Sequence, residues 1–207
     1  VLRDLIVSGK LAPGTRLVEM DLCRAFLRSR SPVREAIRIL TAEGLIEPAG
    51  NRGVQVRRAQ AEEILQTFSV IGTLEAMAGE LAAERISEPQ LRRIEEAHQR
   101  MVAAFQANDQ TTYYHCNQLI HRAIWEAADN AVLLQELERL NAWVRPYRFA
   151  VNNRLESWRK SVADHNRIMV ALLNRDGRRL SQILRLHLPS KAEVLRAHLS
   201  LTAGREA

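Results

Sequence analysis

Cysteine, lysine and long apolar runs are what this sequence has little of. Its 207 residues include two cysteines, Cys23 and Cys116, far apart and in no C-x-x-C pair. They offer neither a disulfide framework nor a cysteine metal site, and the expected setting is reducing and cytoplasmic. No apolar stretch approaches the roughly 20 residues that span a bilayer. No signal-peptide pattern opens the chain, so no membrane partner is expected. Internal repeats and low-complexity tracts are absent. Lysine supplies only Lys10, Lys160 and Lys191 of the 30 basic residues. The others are arginine, whose planar fork suits phosphate and guanine.

The positive charge that is present is unevenly placed. Residues 1–58 carry 11 Lys/Arg against 6 Asp/Glu, whereas residues 59–207 carry 19 against 18. Nearly all of the net +6 therefore belongs to the first quarter of the chain. A small basic module joined to a nearly neutral one fits a nucleic-acid binder with a regulatory partner domain, although charge alone also fits a protein that binds acidic proteins or membrane surfaces. Hydrophobic content of 46% is ample for a packed core in each.

The basic module is organised around residues 29–40. Ser31 is a suitable N-cap and Pro32 suits the first helical position. Val33, Ala36, Ile37 and Leu40 then fall at i, i+3, i+4 and i+7, one apolar stripe. Arg30, Arg34 and Arg38 recur every four residues and lie off that stripe. Before this helix, Leu2, Leu5 and Ile6 mark one that stops at Gly9. Pro13-Gly14 is a turn, and a second short helix spans about 19–26, at helix-turn-helix spacing. After Gly44, Leu45–Glu47 and Val54–Val56 read as two strands around a turn-rich tip that carries Arg52 and Gly53. This is the pattern of a winged helix-turn-helix over residues 1–58. Its recognition helix would enter the major groove, with Ser29, Ser31 and the helix N-terminus on phosphate.

Residues 59–207 show no strand-like alternation and read as an all-helical antiparallel bundle of six helices. These begin near Ala61, Pro89, Asp109, Asn130, Leu155 and Gly177. Ser87-Glu88-Pro89-Gln90 is a capping box, and a bend is expected where the fourth helix meets Pro146. Asn117 and His121 share a face of the third helix. His165 and His187 lie on or beside the apolar stripes of the fifth and sixth. Two readings of these histidines are open. Either each is an ordinary core residue, or the three converge on a divalent metal with an oxygen ligand.

The run Gly9…Pro13-Gly14…Leu17…Leu22…Ser29-Arg30-Ser31-Pro32-Val33-Arg34-Glu35-Ala36…Leu40…Glu43-Gly44-Leu45-Ile46…Arg52-Gly53-Val54 resembles the DNA-binding domain of the GntR family of bacterial transcriptional regulators. The resemblance implies that Arg30 and Arg34 contact bases or nearby phosphates, supported by Ser29 and Ser31, with Gly53 at the wing tip. Where the family has a glycine and a small apolar residue before the serine, this chain has Leu27-Arg28, and Arg28 becomes a further phosphate candidate.

Residues 61–200 resemble the helical FCD effector domain of the FadR-like branch. The carriers are Asn117…His121…Asn130, Asp164-His165…Ile168…Ala171…Asp176, and His187-Leu188. Six helices place it nearer the VanR-like subgroup. The resemblance implies metal ligands at His121, His165 and His187, with Asn117 at the position of the family's aspartate. Three imidazoles without that carboxylate suit Zn²⁺ or Ni²⁺. The family's arginine before the Leu-Glu pair is Ile71 here, which leaves Arg145 and Arg148 as candidate bases for an effector carboxylate.

The expected function is that of a transcriptional regulator and not an enzyme. It would be a repressor in the bacterial cytoplasm, bound at the nucleoid as a homodimer on a palindromic double-stranded operator. A small organic acid near the metal would control it. The alternatives are a metal-dependent hydrolase, or a regulator whose metal is only structural or is itself the signal. Against the hydrolase, no acidic general base sits in a recognisable motif.

Overall fold

The computed structural model describes residues 1–196 apart from 8, 51, 52, 152–154 and 193. Arg52, the expected wing contact, lies outside the described residues. The first module is built from α1 (Leu2–Val7), β1 (Arg16–Leu17), α2 (Glu19–Phe26), α3 (Arg30–Ala42), β2 (Ile46–Pro48) and β3 (Val54–Val56). Leu2, Ile6, Leu17, Leu22, Val33, Leu40, Leu45, Ile46 and Val56 form its own apolar core. The strands make an antiparallel sheet in the order β1-β3-β2, with Leu17 opposite Val54 and Ile46 opposite Val56. Strand β1 is absent from the sequence reading. Two residues are too few for alternation to register, and its pairing with β3 defines it.

Two further details differ from expectation. Helix α3 starts two residues earlier, at Arg30, with extended Ser29 as N-cap in place of Ser31. Pro32 thus stands third in the helix, still within the first turn, where its missing N–H forfeits no intrahelical bond. The turn before α3 keeps a glycine-like shape without glycine. Leu27 adopts φ 50°, and the Arg28 N–H donates to the Cys23 carbonyl at 3.0 Å. That six-to-one bond closes α2 as a Schellman turn, with Leu27 in the conformation glycine usually fills.

The remainder is helical: α4 (Ala61–Arg85), α5 (Glu88–Gln106), α6 (Gln110–Ala127), α7 (Ala131–Val151), α8 (Leu155–Leu173) and α9 (Gly177–His187), then a short 3-10 turn, Pro189–Lys191. Helix α7 continues through Pro146 as one element. Side-chain caps set the starts: Gln90 Oε1 accepts the Ser87 N–H at 3.0 Å, Asp109 accepts from Thr112, and Asp176 accepts from Arg179. Helix α4 is the hub, packing on α6, α7 and α9. Two apolar clusters flank it. One is centred on Ile94, Ile120, Trp158 and Ile168, the other on Phe68, Ile71, Leu137 and Val144.

The α4–α9 crossing is close enough that glycine is required at Gly72. A Cβ there would sit 2.6 Å from the Arg185 carbonyl oxygen and 3.1 Å from the Pro189 ring. At Gly79 the clash, 2.5 Å, is with the movable end of the Leu184 side chain. Gly72→Ala is therefore expected to cost about 1–3 kcal/mol of stability, as overpacking does. Gly79→Ala should cost less. Thermal unfolding of the two variants checks the order, and equal or reversed losses contradict it.

Candidate functional site: an arginine face and a buried histidine centre

The first candidate site is the outer face of α3. Arg28, Ser29, Arg30, Ser31, Arg34 and Arg38 are all exposed, with Val33 and Leu40 buried behind them. Spacing of four puts the three helical arginines in one row. Each is held by a neighbour. Arg34 Nε donates to Glu19 Oε2 at 2.8 Å, and Arg38 donates to both Glu35 oxygens at 3.0 and 2.7 Å. Arg30 Nη2 rests 3.2 Å from the Met20 sulfur. Such exposed pairs are weak and salt-screened, and leave the guanidinium groups open to exchange of partners. Gly53, exposed at φ 118°, stands at the end of the wing, in a conformation that L side chains rarely adopt.

The second candidate site lies inside the bundle. Every fully buried polar or charged side chain among the described residues belongs to it: Glu75, Asn117, His121, Arg148, Ser161, Asp164, His165, His187 and Lys191. Glu75 comes from α4, Asn117 and His121 from α6, Arg148 from α7, Asp164 and His165 from α8, and His187 from α9. The histidine rings have centroids 5.0–5.2 Å apart, and one nitrogen of each lies within 4.8 Å of the others. Hydrogen bonds to an oxygen orient two of the rings, and a carboxylate lies beside the third. Asn117 Oδ1 is 2.8 Å from His165 Nε2, Asp164 Oδ2 is 3.0 Å from His187 Nδ1, and Glu75 Oε1 is 3.0 Å from His121 Nδ1.

His165 Nδ1, His187 Nε2 and both nitrogens of His121 are buried without a hydrogen bond. Leaving such atoms unmatched is costly in an interior, and a metal ion is the partner that three converging imidazole nitrogens fit. The carboxylate behind His187, and the one beside His121, are the usual second partners of a ligating histidine. Asn117, expected at the ligand position, spends its carbonyl oxygen on the His165 ring.

Arg145 and Arg148 fare differently. Arg148 is 2% exposed; its Nη1 donates to Asn141 Oδ1 at 2.6 Å and its Nη2 has no partner. Arg145 is half-buried. Its carbonyl accepts the Tyr114 hydroxyl at 3.2 Å, and its Nε is buried without a partner.

Burial sets the protonation states. It holds His165 and His187 well below 6.5, reinforced by each other's neighbours among the histidines and by Lys191. Burial also lowers His121, against the pull of Glu75. Burial alone would raise Glu75, but His121, Arg148 and Lys191 outweigh it and keep its carboxyl below the ordinary value. Lys191 is pushed down to about 7, first by burial and then by the charge of Arg148. The imidazoles are thus neutral at pH 7, the form in which they ligate.

Sequence reasoning missed Glu75, Asp164, Ser161 and Lys191 as members of this site. Glu75 carried a signal, a carboxylate on the apolar row of Ile71, Ala78 and Ala82. Asp164 adjoins a named histidine, and Lys191 follows His187 by one helical turn.

A pH dependence follows. Below 6.5 the unfolded chain takes up protons on these histidines while the native core does not. Stability in the absence of metal is therefore full above about pH 6.5 and falls as pH drops below it. Urea unfolding of chelator-treated protein should give a lower midpoint at pH 5.5 than at pH 7.5, with a smaller difference in His165→Gln. A midpoint independent of pH over this interval contradicts neutral burial.

With the geometry established, comparison with known proteins places the chain. Residues 1–56 match the sequence pattern of the bacterial regulatory proteins of the gntR family, and residues 66–190 match the FCD domain. The chain is 26% identical over 196 residues to the HTH-type transcriptional repressor RspR of Escherichia coli, covering 95% of this chain and 86% of that protein. It is 27% identical over 204 residues to the repressor GlaR of the same organism, covering 94% and 92%. Among solved structures, E. coli McbR/YncC superposes with a TM-score of 0.78 at 21% identity, over 100% of this chain and 95% of that one. A GntR regulator from Rhodococcus sp. RHA1 superposes at 0.77 with 26% identity, over 95% and 94%. No described helix is long and apolar enough to cross a membrane. A winged helix-turn-helix bearing an exposed arginine row, joined to a helical bundle of this pattern, makes the chain a member of the GntR family with an FCD domain, and so a DNA-binding transcriptional regulator rather than an enzyme.

Proposed function

We propose that the chain is a repressor whose hold on its operator is controlled by a small organic acid bound beside a metal in the helical domain. The observation that carries DNA reading is the row of Arg30, Arg34 and Arg38 on the exposed front of α3. The arginine fork reads guanine O6 and N7 in the major groove, while Arg28, Ser29 and Ser31 hold phosphate and fix register. Gly53 and Arg52 serve the wing. The repressor assignment takes support from RspR and GlaR, both named as repressors. The protein acts in the bacterial cytoplasm as a homodimer, whose two-fold axis matches a palindromic site.

His121, His165 and His187 would hold the metal, Zn²⁺ or Ni²⁺, with Asn117 and Asp164 orienting two of the rings and Glu75 beside the third. When bound, it supplies a Lewis-acidic anchor for a carboxylate.

Helix α7 connects the two sites. Arg148 reaches the buried centre. One residue away, the Tyr147 hydroxyl accepts the Ala59 N–H at 3.2 Å, and Arg57 stacks 4.7 Å over the Trp143 ring. Trp143 also packs against Gly44, just past α3. A cleft of about 300 Å³ bounded by Ala42, Glu43, Arg57, Thr67, Arg139 and Trp143 leaves room for the first module to shift. An acid that moves α7 thus changes the seat of α3. Coupling is reciprocal, so DNA must also weaken acid binding.

Selection of duplexes from a random pool by the full chain tests the DNA reading. The expected product is a two-fold-symmetric sequence, bound about ten- to a hundredfold more weakly by Arg30→Ala or Arg34→Ala in mobility shifts. Selection of no duplex, or unchanged binding by both variants, contradicts it.

A further inference from the structure

The turn before α3 presents an apolar side chain to solvent. Leu27 is 89% exposed, the highest value for a large apolar residue among those described. Phe26 beside it packs against the module's core, to which Leu27 does not belong. The Leu27 backbone is also left-handed, with φ 50° and ψ 48°. Glycine enters that conformation freely, whereas any side chain there meets a steric cost. The other described non-glycine residues at positive φ, Asn108, Asp129 and Arg175, are all polar. A single exposed leucine on an ordinary surface calls for no explanation. Here glycine would remove both the backbone cost and the apolar exposure, and leucine stands instead.

Its surroundings indicate a partner. Arg28, Ser29, Arg30 and Ser31 follow it directly, and all four are exposed. Two peptide units separate Leu27 from Ser29, the N-cap of α3, so their Cα atoms lie within about 7.6 Å. Met20 adds a second apolar group, 42% exposed, with its sulfur 3.2 Å from Arg30 Nη2. The N-terminal residues of a recognition helix meet base edges in the major groove. Those edges are polar except at thymine, which alone adds an apolar 5-methyl group. We propose that Leu27 reads the 5-methyl of a thymine beside the bases met by Arg30, and so helps to determine operator specificity. This rests on the reading of α3 as the recognition helix, and adds a base that no arginine fork selects. Phosphate, the other nearby surface of DNA, offers an apolar side chain nothing.

Deoxyuridine differs from thymidine only by that methyl, so replacing thymines one at a time in a selected duplex isolates the contact. Fluorescence anisotropy with the full chain at fixed salt gives the affinities. One such replacement is expected to weaken wild-type binding about three- to fivefold, the worth of one methyl group withdrawn from water. Leu27→Gly suits the left-handed turn and should unfold no earlier than wild type. It is expected to bind the thymine and uracil duplexes alike, about as weakly as wild type binds the uracil one. Leu27→Ala keeps a side chain on the strained backbone and should lose the same preference, which assigns the effect to the leucine side chain. Wild-type binding that no single replacement weakens, or a thymine preference retained in Leu27→Gly, overturns this inference and leaves the recognition helix standing. Failure of the full chain to bind any selected duplex overturns both.

Discussion

The rest of the structure depends on the burial of a polar cluster in the helical domain. Carboxylates, cations and imidazoles from α4, α6, α7, α8 and α9 meet where a bundle ordinarily places leucine. Removing such groups from water costs several kcal/mol per ion unless partners are supplied. Many partners are internal, as where Asp164 meets His187 and Asn117 meets His165. Others are lacking. Glu75, Asn117, His121, Arg148, His165 and His187 each retain a buried atom with no hydrogen bond. These unpartnered atoms are the ones that the proposed metal and acid would complete. The bundle can hold it because the helices around it are anchored elsewhere, by the Gly72 and Gly79 crossing and by the two apolar clusters.

The same bundle provides the seat for the DNA-binding module. That module has its own small core, and α3 owes its geometry to Val33 and Leu40 packing inward. Its orientation depends on other contacts: Trp143 against Gly44, Arg57 stacked on that ring, and Tyr147 on the Ala59 backbone. Trp143 and Tyr147 belong to α7, as does Arg148. Adjacent residues of one helix thus face the buried centre and the first module, the contact through which the proposed effector would act.

Much of this was legible in the sequence. The arginine row needed only a period of four beside an apolar stripe, and the capping box at Ser87 fixed the start of α5. The three histidines were identifiable as candidates because each lay on an apolar face. Their convergence was not, since spacing along separate helices carries no information about how those helices cross. Residue pattern also put the N-cap of α3 at Ser31, because serine before proline is a strong local signal. The fold instead begins the helix at Arg30, where Ser29 is already extended. Strand β1 exists only through its pairing with β3, and Lys191 is buried only because the 3-10 turn after α9 folds back on α4 and α8. Such features are tertiary in origin, and local periodicity cannot contain them.

The most direct measurement is zinc binding by the full chain, followed by calorimetry against a competing chelator. The account gives one zinc per chain, lost or weakened by at least about tenfold in His165→Gln and in His187→Gln, the scale expected when a metal-site residue is removed. A wild-type chain that takes up no zinc or nickel, or variants that bind as tightly as wild type, would contradict a buried histidine centre built for a metal.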